Sequence, residues 1–277
     1  NRHVVDELRD KGATFVEDLD EIPDGAVAIF SAHGVSKELW GEAKKRELNT
    51  IDATCPLVTK VHRQAHRLDR LGFEILLIGH AGHPEVEGTM GQLPGKIRLI
   101  QTTKEAETVT VSQPEKVAYL TQTTLSLDDT AGIVEVLRRR FPGLETPPTD
   151  DICYATQNRQ AAVKRLSNTA DLIIVIGAAN SSNSNRLVEV ATSHDVNAYL
   201  VEDASEIKDE WFKNISTVAI TAGASAPEYL VQEVINYIKS HYDGEISGDL
   251  DGIEENVHFP LPQQLVSNKK RNPATSI

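Results

Sequence analysis

The two cysteines of this 277-residue chain stand at equivalent points of an internal repeat, and that repeat constrains the fold more than any other feature. Cys55 closes the string Asp52-Ala53-Thr54-Cys55 and Cys153 closes Asp150-Asp151-Ile152-Cys153, so both complete Asp-x-x-Cys. From each cysteine a helical stretch and an apolar strand lead to a glycine, at 79 − 55 = 24 and 177 − 153 = 24. Each copy then continues to a second strand ending in threonine, Thr121 and Thr221, at 121 − 55 = 66 and 221 − 153 = 68. Self-similarity at a fixed interval is the mark of one supersecondary unit used more than once.

A third copy of the second strand opens the chain as Val27-Ala28-Ile29-Phe30-Ser31-Ala32-His33-Gly34-Val35-Ser36. By the same spacing its cysteine would fall about 66 residues before Ser31, ahead of Asn1. The expectation is therefore a chain that begins inside a domain: two complete α/β units and the second half of a first, with an amino-terminal piece of roughly 35 residues or more carrying a third cysteine. The boundaries this implies are 1–54 for the half unit, 55–152 and 153–243 for the complete units, and 244–277 for an extended, proline- and glycine-rich tail.

Short apolar runs alternate with longer amphipathic stretches, as in a parallel sheet covered by helices. The clearest strands are Ala26 to Phe30, Ile75 to Ile78, Val117 to Leu120, Leu172 to Ile176 and Thr217 to Ile220. Helical spacing runs through Val4 to Leu8, Thr130 to Arg140 and Tyr229 to Ser240, and Pro147-Pro148 reads as a linker. Charge narrows the function. With 28 basic and 41 acidic side chains the net charge is −13, which opposes nucleic acid or an anionic membrane as a main partner. No apolar run is long enough to span a bilayer and no leader is evident, so the cytoplasm is the expected compartment. An anionic ligand would have to be held by local donors.

Ligands of open parallel sheets gather at the carboxyl ends of the strands. Two loops there are chemically dense. Gly79-His80-Ala81-Gly82-His83-Pro84-Glu85-Val86-Glu87-Gly88 sets histidine beside glutamate, a combination that binds anions and relays protons, and Glu85 is the better proton donor because Glu87 should point the other way. Asn180-Ser181-Ser182-Asn183-Ser184-Asn185 precedes a helix expected to begin near Arg186 and offers N–H groups, hydroxyls and amides to a phosphate without formal charge. A helix cap would need only one of those residues. Neither a Walker loop nor Gly-x-Gly-x-x-Gly is present.

Each cysteine precedes a helix, where the dipole favours an anion. Three thiolates from three equivalent units could hold a cuboidal iron–sulfur cluster with one iron left open, or a zinc ion with a water. Spacing alone does not choose between them. An iron–sulfur sensor or electron carrier would need the cysteines but neither loop, and a zinc-dependent hydrolase would be colourless.

Taken together, Asp52 to Lys60, Gly79 to Gly88, Thr121-Gln122-Thr123-Thr124-Leu125-Ser126, Asp151 to Thr156, Asn180 to Arg186 and Thr221-Ala222-Gly223-Ala224-Ser225-Ala226-Pro227 resemble the 4-hydroxy-3-methylbut-2-enyl diphosphate reductase family of the non-mevalonate isoprenoid pathway, in order from Asn1 to about Phe259. The resemblance implies three pseudo-equivalent α/β units in a trefoil around a central 4Fe-4S cluster, with the first unit incomplete here. It implies Cys55 and Cys153 as cluster ligands and His33, His83, Ser181, Ser182, Asn183 and Ser225 as diphosphate ligands. Glu85 would be the proton donor, and Thr123 the hydroxyl that orients or relays the proton beside the substrate. The implied reaction is reductive dehydroxylation: the substrate oxygen binds the open iron, two electrons enter through the cluster, water is lost, and the allyl anion is protonated at either end to give isopentenyl or dimethylallyl diphosphate. A ferredoxin or flavodoxin would supply the electrons. The family's third cysteine and a histidine just ahead of Asn1 have no counterpart in these residues, so an inactive fragment of that enzyme is the other expectation.

Overall fold

A computed structural model describes residues 1–247, 253, 255–262 and 264–266. In chain order the elements are α1 (Arg2–Asp10), β1 (Val27–Phe30), α2 (Lys37–Lys45), β2 (Asn49–Asp52), α3 (Pro56–Arg70), β3 (Glu74–Ile78), α4 (Pro84–Met90), β4 (Ile97–Ile100), α5 (Thr103–Thr108), β5 (Val117–Thr121) and α6 (Leu127–Arg140). There follow α7 (Tyr154–Leu166), β6 (Leu172–Ile176), α8 (Ser182–Thr192), β7 (Asn197–Val201), β8 (Val218–Ala222) and α9 (Glu228–Tyr242). Every strand pair is parallel, in three sheets ordered β1-β2, β4-β3-β5 and β7-β6-β8.

The chain divides into two compact units. One comprises Val16–Thr123 and Asp128–Asp151 with the described part of Asn256–Ile277, and contains the first two sheets. In it α3 starts at Pro56, whose fixed φ suits a first helical position, and turns Val58, Val61, Ala65 and Leu68 inward. The last three of those side chains close on Ile75 and Leu77 of β3 and on Ala118 and Leu120 of β5. The other unit comprises Asn1–Phe15, Thr124–Leu127 and Ile152–Glu255. All five residues of its central strand β6 are buried. Ile173 and Val175 face the α7 and α8 side, against Val163, Leu187 and Val190, while Leu172, Ile174 and Ile176 face Leu230, Val234 and Ile238 of α9.

The predicted strands and helices are present, but the helix expected from near Arg186 starts four residues earlier, at Ser182 with Ser181 as its cap, so Ser182 to Asn185 form its first turn rather than a loop before it. The repeat also has one addition. Short edge strands β4 and β7 intervene in the chain, so β5 and β8 are the third strands of their sheets in chain order, although each pairs directly with the central β3 or β6. Thr121 ends β5, whereas β8 runs one residue past Thr221 to Ala222. The glycines of the repeat acquire a physical reason. A Cβ on Gly79 would stand 2.7 Å from Val86 Cγ2, and one on Gly177 would collide with Ser184 Oγ. In both copies the helix after the strand is seated on a bare Cα.

Ala28 of β1 is registered with Thr50 in parallel, and Ala118 of β5 makes a parallel bridge to Glu145. A second recurrence was not anticipated. Glu21, Glu105 and Glu206 each turn a carboxylate back onto a backbone N–H four residues earlier, of Glu17, Gln101 and Glu202, at 3.0, 2.6 and 2.7 Å. Each lies in a short helical turn, and those of Glu105 and Glu206 follow the edge strands β4 and β7. Pro147 and Pro148 lie in irregular chain just ahead of the division at Asp151 and Ile152. Of the tail, residues 244–247, 253 and 255–262 carry no regular element and 264–266 form a single helical turn; the rest of the predicted 244–277 tail lies outside the described residues. Among the described residues no helix is long and apolar enough to cross a membrane.

Candidate active site

In the first unit, the loops after β1, β3 and β5 carry His33, His83, Glu85 and Thr123. His83 is the residue that caps α4: its Nδ1 accepts the Glu85 N–H at 3.2 Å. In the neutral ring the proton must then sit on Nε2, which leaves Nε2–H as a donor. The His33 ring stands edge-on to His83 with centroids 5.7 Å apart, and His33 Nδ1 lies 3.2 Å from Ser31 Oγ. Burial lowers the pKa of both rings. For His83 burial and the neighbouring His33 and His80 take it down to about 4, so at neutral pH this pair is uncharged and offers N–H donors rather than fixed cations.

Two residues on, the Glu85 carboxyl is 3% exposed. Its Oε1 accepts the Thr123 N–H at 2.6 Å and its Oε2 the Thr123 hydroxyl at 2.9 Å. Burial outweighs those hydrogen bonds and, with Asp151 contributing in the same sense, pushes the carboxyl up to about 7. An acid poised there holds its proton in part of the population at neutral pH and can give it up, which is what general acid catalysis needs. Glu87, one turn position away, is exposed, as expected.

In the second unit, Ser181 caps α8, its Oγ accepting the Ser184 N–H at 3.3 Å, and Ser182 Oγ lies 3.1 Å from Thr124 Oγ1. Asn183 follows, 5% exposed, with both its amide oxygen and its amide nitrogen buried and unpartnered in the structure. A buried amide with nothing to bond costs free energy comparable to a lost hydrogen bond, and a polar ligand there would recover it. Gly223 allows that packing: a Cβ there would collide with Ser184 Oγ and lie 3.6 Å from Asn183 Nδ2. Ser225 is exposed in the turn that follows β8.

Both cysteines are free and half-buried, Cys55 as the cap residue of α3 and Cys153 as that of α7. Cys153 Sγ accepts the Thr156 N–H at 3.3 Å and lies 3.0 Å from Thr156 Oγ1. A sulfur so placed, at a helix amino terminus with N–H and O–H donors, suits a thiolate ligand. The two belong to different units, and among the described residues no cluster of three or more His, Cys, Asp and Glu could hold a metal ion.

Several contributors escaped the sequence reading. Lys60, on α3, reaches the carbonyls of Thr149 and Asp150 at 3.1 and 2.6 Å and the fully buried Asp151 carboxylate at 3.3 Å. Asp151 Oδ2 in turn accepts the Thr121 N–H at 3.3 Å. Gln122, 1% exposed, accepts the His80 N–H at 3.1 Å and so steadies the histidine loop. Asp151 had been visible only as part of Asp-x-x-Cys, and Gln122 only as part of a polar string.

Residues 1–239 match the family model described as LytB protein. The 4-hydroxy-3-methylbut-2-enyl diphosphate reductase of Burkholderia pseudomallei is 56% identical over 265 residues, covering 96% of this chain and 84% of that protein. The enzyme of the same name from a Psychrobacter species is 52% identical over 269 residues, with 96% and 84% covered. Among solved structures, the E-1-hydroxy-2-methyl-but-2-enyl-4-diphosphate reductase of Plasmodium falciparum superposes with a TM-score of 0.94 at 38% identity, over 98% of this chain and 86% of that one. A second structure, of (E)-4-hydroxy-3-methyl-but-2-enyl diphosphate reductase, gives a TM-score of 0.60 at 32% identity over 87% and 85%.

Proposed function

The chain belongs to the LytB protein family, and on that premise we propose that it carries out the reductive dehydroxylation of 4-hydroxy-3-methylbut-2-enyl diphosphate to isopentenyl and dimethylallyl diphosphates. The allylic C–O bond breaks, two electrons and two protons are taken up, and water leaves. The observation that carries the reading is the Glu85–Thr123 pair: a carboxyl 3% exposed, held through both oxygens and poised near neutrality.

Glu85 is the proton donor in this reading. Its proton goes to the leaving hydroxyl, and Thr123 fixes the carboxyl through both oxygens so that its direction does not drift. His33 and His83 are the proposed N–H donors to the diphosphate in the first unit, and Ser181, Ser182, Asn183 and Ser225 the proposed donors in the second. Neutral donors suffice because hydrogen bonds to an anion are stronger than those between neutral groups. A chain of charge −13 gains nothing from long-range attraction for a diphosphate, which is why close donors carry the work.

Cys55 and Cys153 are the proposed protein ligands of a 4Fe-4S cluster, and their placement as free, half-buried helix caps fits soft thiolate ligation. No third cysteine stands among the 277 residues. When bound, such a cluster supplies the electrons of the reduction; a ferredoxin or flavodoxin is the proposed source, and the cytoplasm the proposed compartment. The three α/β units, 1–54, 55–152 and 153–243, are proposed as pseudo-equivalent.

The decisive experiment is Glu85→Gln in protein reconstituted anaerobically with iron and sulfide. Turnover should fall by about 10²-fold or more while the iron and sulfide content stays that of wild type. Unchanged turnover would remove Glu85 from the reaction.

A further inference from the structure

His33 enters from an irregular loop, and a loop that presents a ligand donor must be held. Residues 31–37 are fastened to their neighbours at three points. Ala32 O accepts the Cys55 N–H at 3.0 Å, the Lys37 N–H donates to Gly91 O at 3.1 Å, and Val35 O accepts from the side-chain amide of Gln92 at 2.7 Å. Only the last depends on a side chain. Gln92 lies two residues past the end of α4 and is 9% exposed. Its Nε2 is also 3.3 Å from Gly88 O of α4, and its Oε1 is 3.4 Å from His66 Nε2 of α3. One amide thus joins the His33 loop to α4, the helix that His83 caps and Glu85 begins.

The surrounding main chain is packed for that contact. A Cβ on Gly88 would stand 2.7 Å from Gly34 O, and one on Gly34, whose φ is +76°, would stand 2.7 Å from His62 Cε1. Loop and helix therefore touch backbone to backbone, with no side chain between to absorb a slip. Filling space near α4 would need only an apolar residue of glutamine's volume; donating to Val35 O needs the amide.

We propose that Gln92 is a positioning residue for anion binding: by tying Val35 O to α4 it sets the spacing of His33 and His83 and so the affinity of the site for a diphosphate. The proposal rests on the reading of those histidines as diphosphate donors. It adds a residue outside the motif strings that suggested that reading, and one that would never touch the ligand.

Inorganic pyrophosphate is the probe, measured by calorimetry on the full chain at pH 6 and pH 8 for wild type, His83→Ala, Gln92→Leu and Gln92→Glu. Gln92→Leu keeps the volume and removes the donor, and its Kd should rise about tenfold, the loss of roughly one buried hydrogen bond. Gln92→Glu is the sharper test. At pH 8 the introduced carboxylate faces two carbonyl oxygens and cannot donate, so binding should be as weak as in Gln92→Leu. At pH 6 the buried carboxyl takes up a proton, can donate to Val35 O, and should return Kd to within about threefold of wild type at the same pH. Wild type measured at the same two pH values is the reference for the other groups around the amide and the site, His33, His62, His66 and His83. Equal Kd values for all Gln92 variants and wild type would overturn the proposal, as would a weakening in Gln92→Glu that is the same at both pH values. Wild type that binds pyrophosphate no better than His83→Ala would instead overturn the anion-site reading, and this proposal with it.

Discussion

Replacing Glu85 by glutamine should change not only turnover but the pH dependence of folding. In the folded chain burial holds this carboxyl near pKa 7, against an ordinary value of 4.5. Below about pH 4 both folded and unfolded states are protonated at this site and the group costs nothing. Between about pH 4.5 and 7 the unfolded chain gives up the proton and the folded chain keeps it, so stability falls as pH rises; above about pH 8 the cost is complete. A gap of about 2.5 units at 1.36 kcal/mol each sets that cost at about 3 kcal/mol. Glutamine has the same shape, keeps an oxygen for the Thr123 N–H, and does not titrate. In urea unfolding of the cluster-free protein at pH 5, 6, 7 and 8, the stability of wild type relative to Glu85→Gln should therefore decline by about 2 kcal/mol across the series, whatever constant offset the substitution brings. Parallel pH profiles for the two proteins would refute the claim that Glu85 is buried without an opposite charge.

Two further outcomes follow from groups described above. Asn183→Leu should weaken pyrophosphate binding by about tenfold yet raise the urea midpoint, because it removes an unpartnered buried amide whose burial costs about 1–3 kcal/mol; calorimetry and unfolding on the same sample check both signs. Lys60→Met should lower stability by about 3 kcal/mol at pH 8, since it strands the fully buried Asp151 carboxylate, and the lower end of the usual range applies because Lys60 is itself partly exposed. That loss should shrink as the pH is lowered and Asp151, already raised by burial, takes up a proton.

The central strands were legible because they are buried on both faces. Leu172 to Ile176 is apolar at every position, a pattern with no competing reading once its length is considered. The edge strands were not. Ile97-Arg98-Leu99-Ile100 and Asn197-Ala198-Tyr199-Leu200-Val201 each mix polar and apolar residues because one margin faces solvent, and Asn49-Thr50-Ile51-Asp52 has a single aliphatic side chain. Within the site, residues that announce themselves by type were found: two cysteines in one frame, histidine beside glutamate, a run of serine and asparagine. Residues that act by holding others were missed. Gln92 meets Val35 across 57 positions and Lys60 meets Asp150 across 90, and no local pattern encodes such a meeting. Even the seats at Gly79 and Gly177 were visible only as an interval, since what makes glycine necessary is an atom seven residues further on.

The cap of α4 carries a consequence of its own. Because His83 Nδ1 is occupied by the Glu85 N–H, moving the ring proton from Nε2 to Nδ1 would cost the helix its side-chain cap, worth about 1 kcal/mol, while the main-chain bonds of Val86 and Glu87 to His83 O keep the turn closed. The cap therefore biases the imidazole toward the tautomer that offers its hydrogen from Nε2, and the residue after Pro84 that sets this bias is the acid itself.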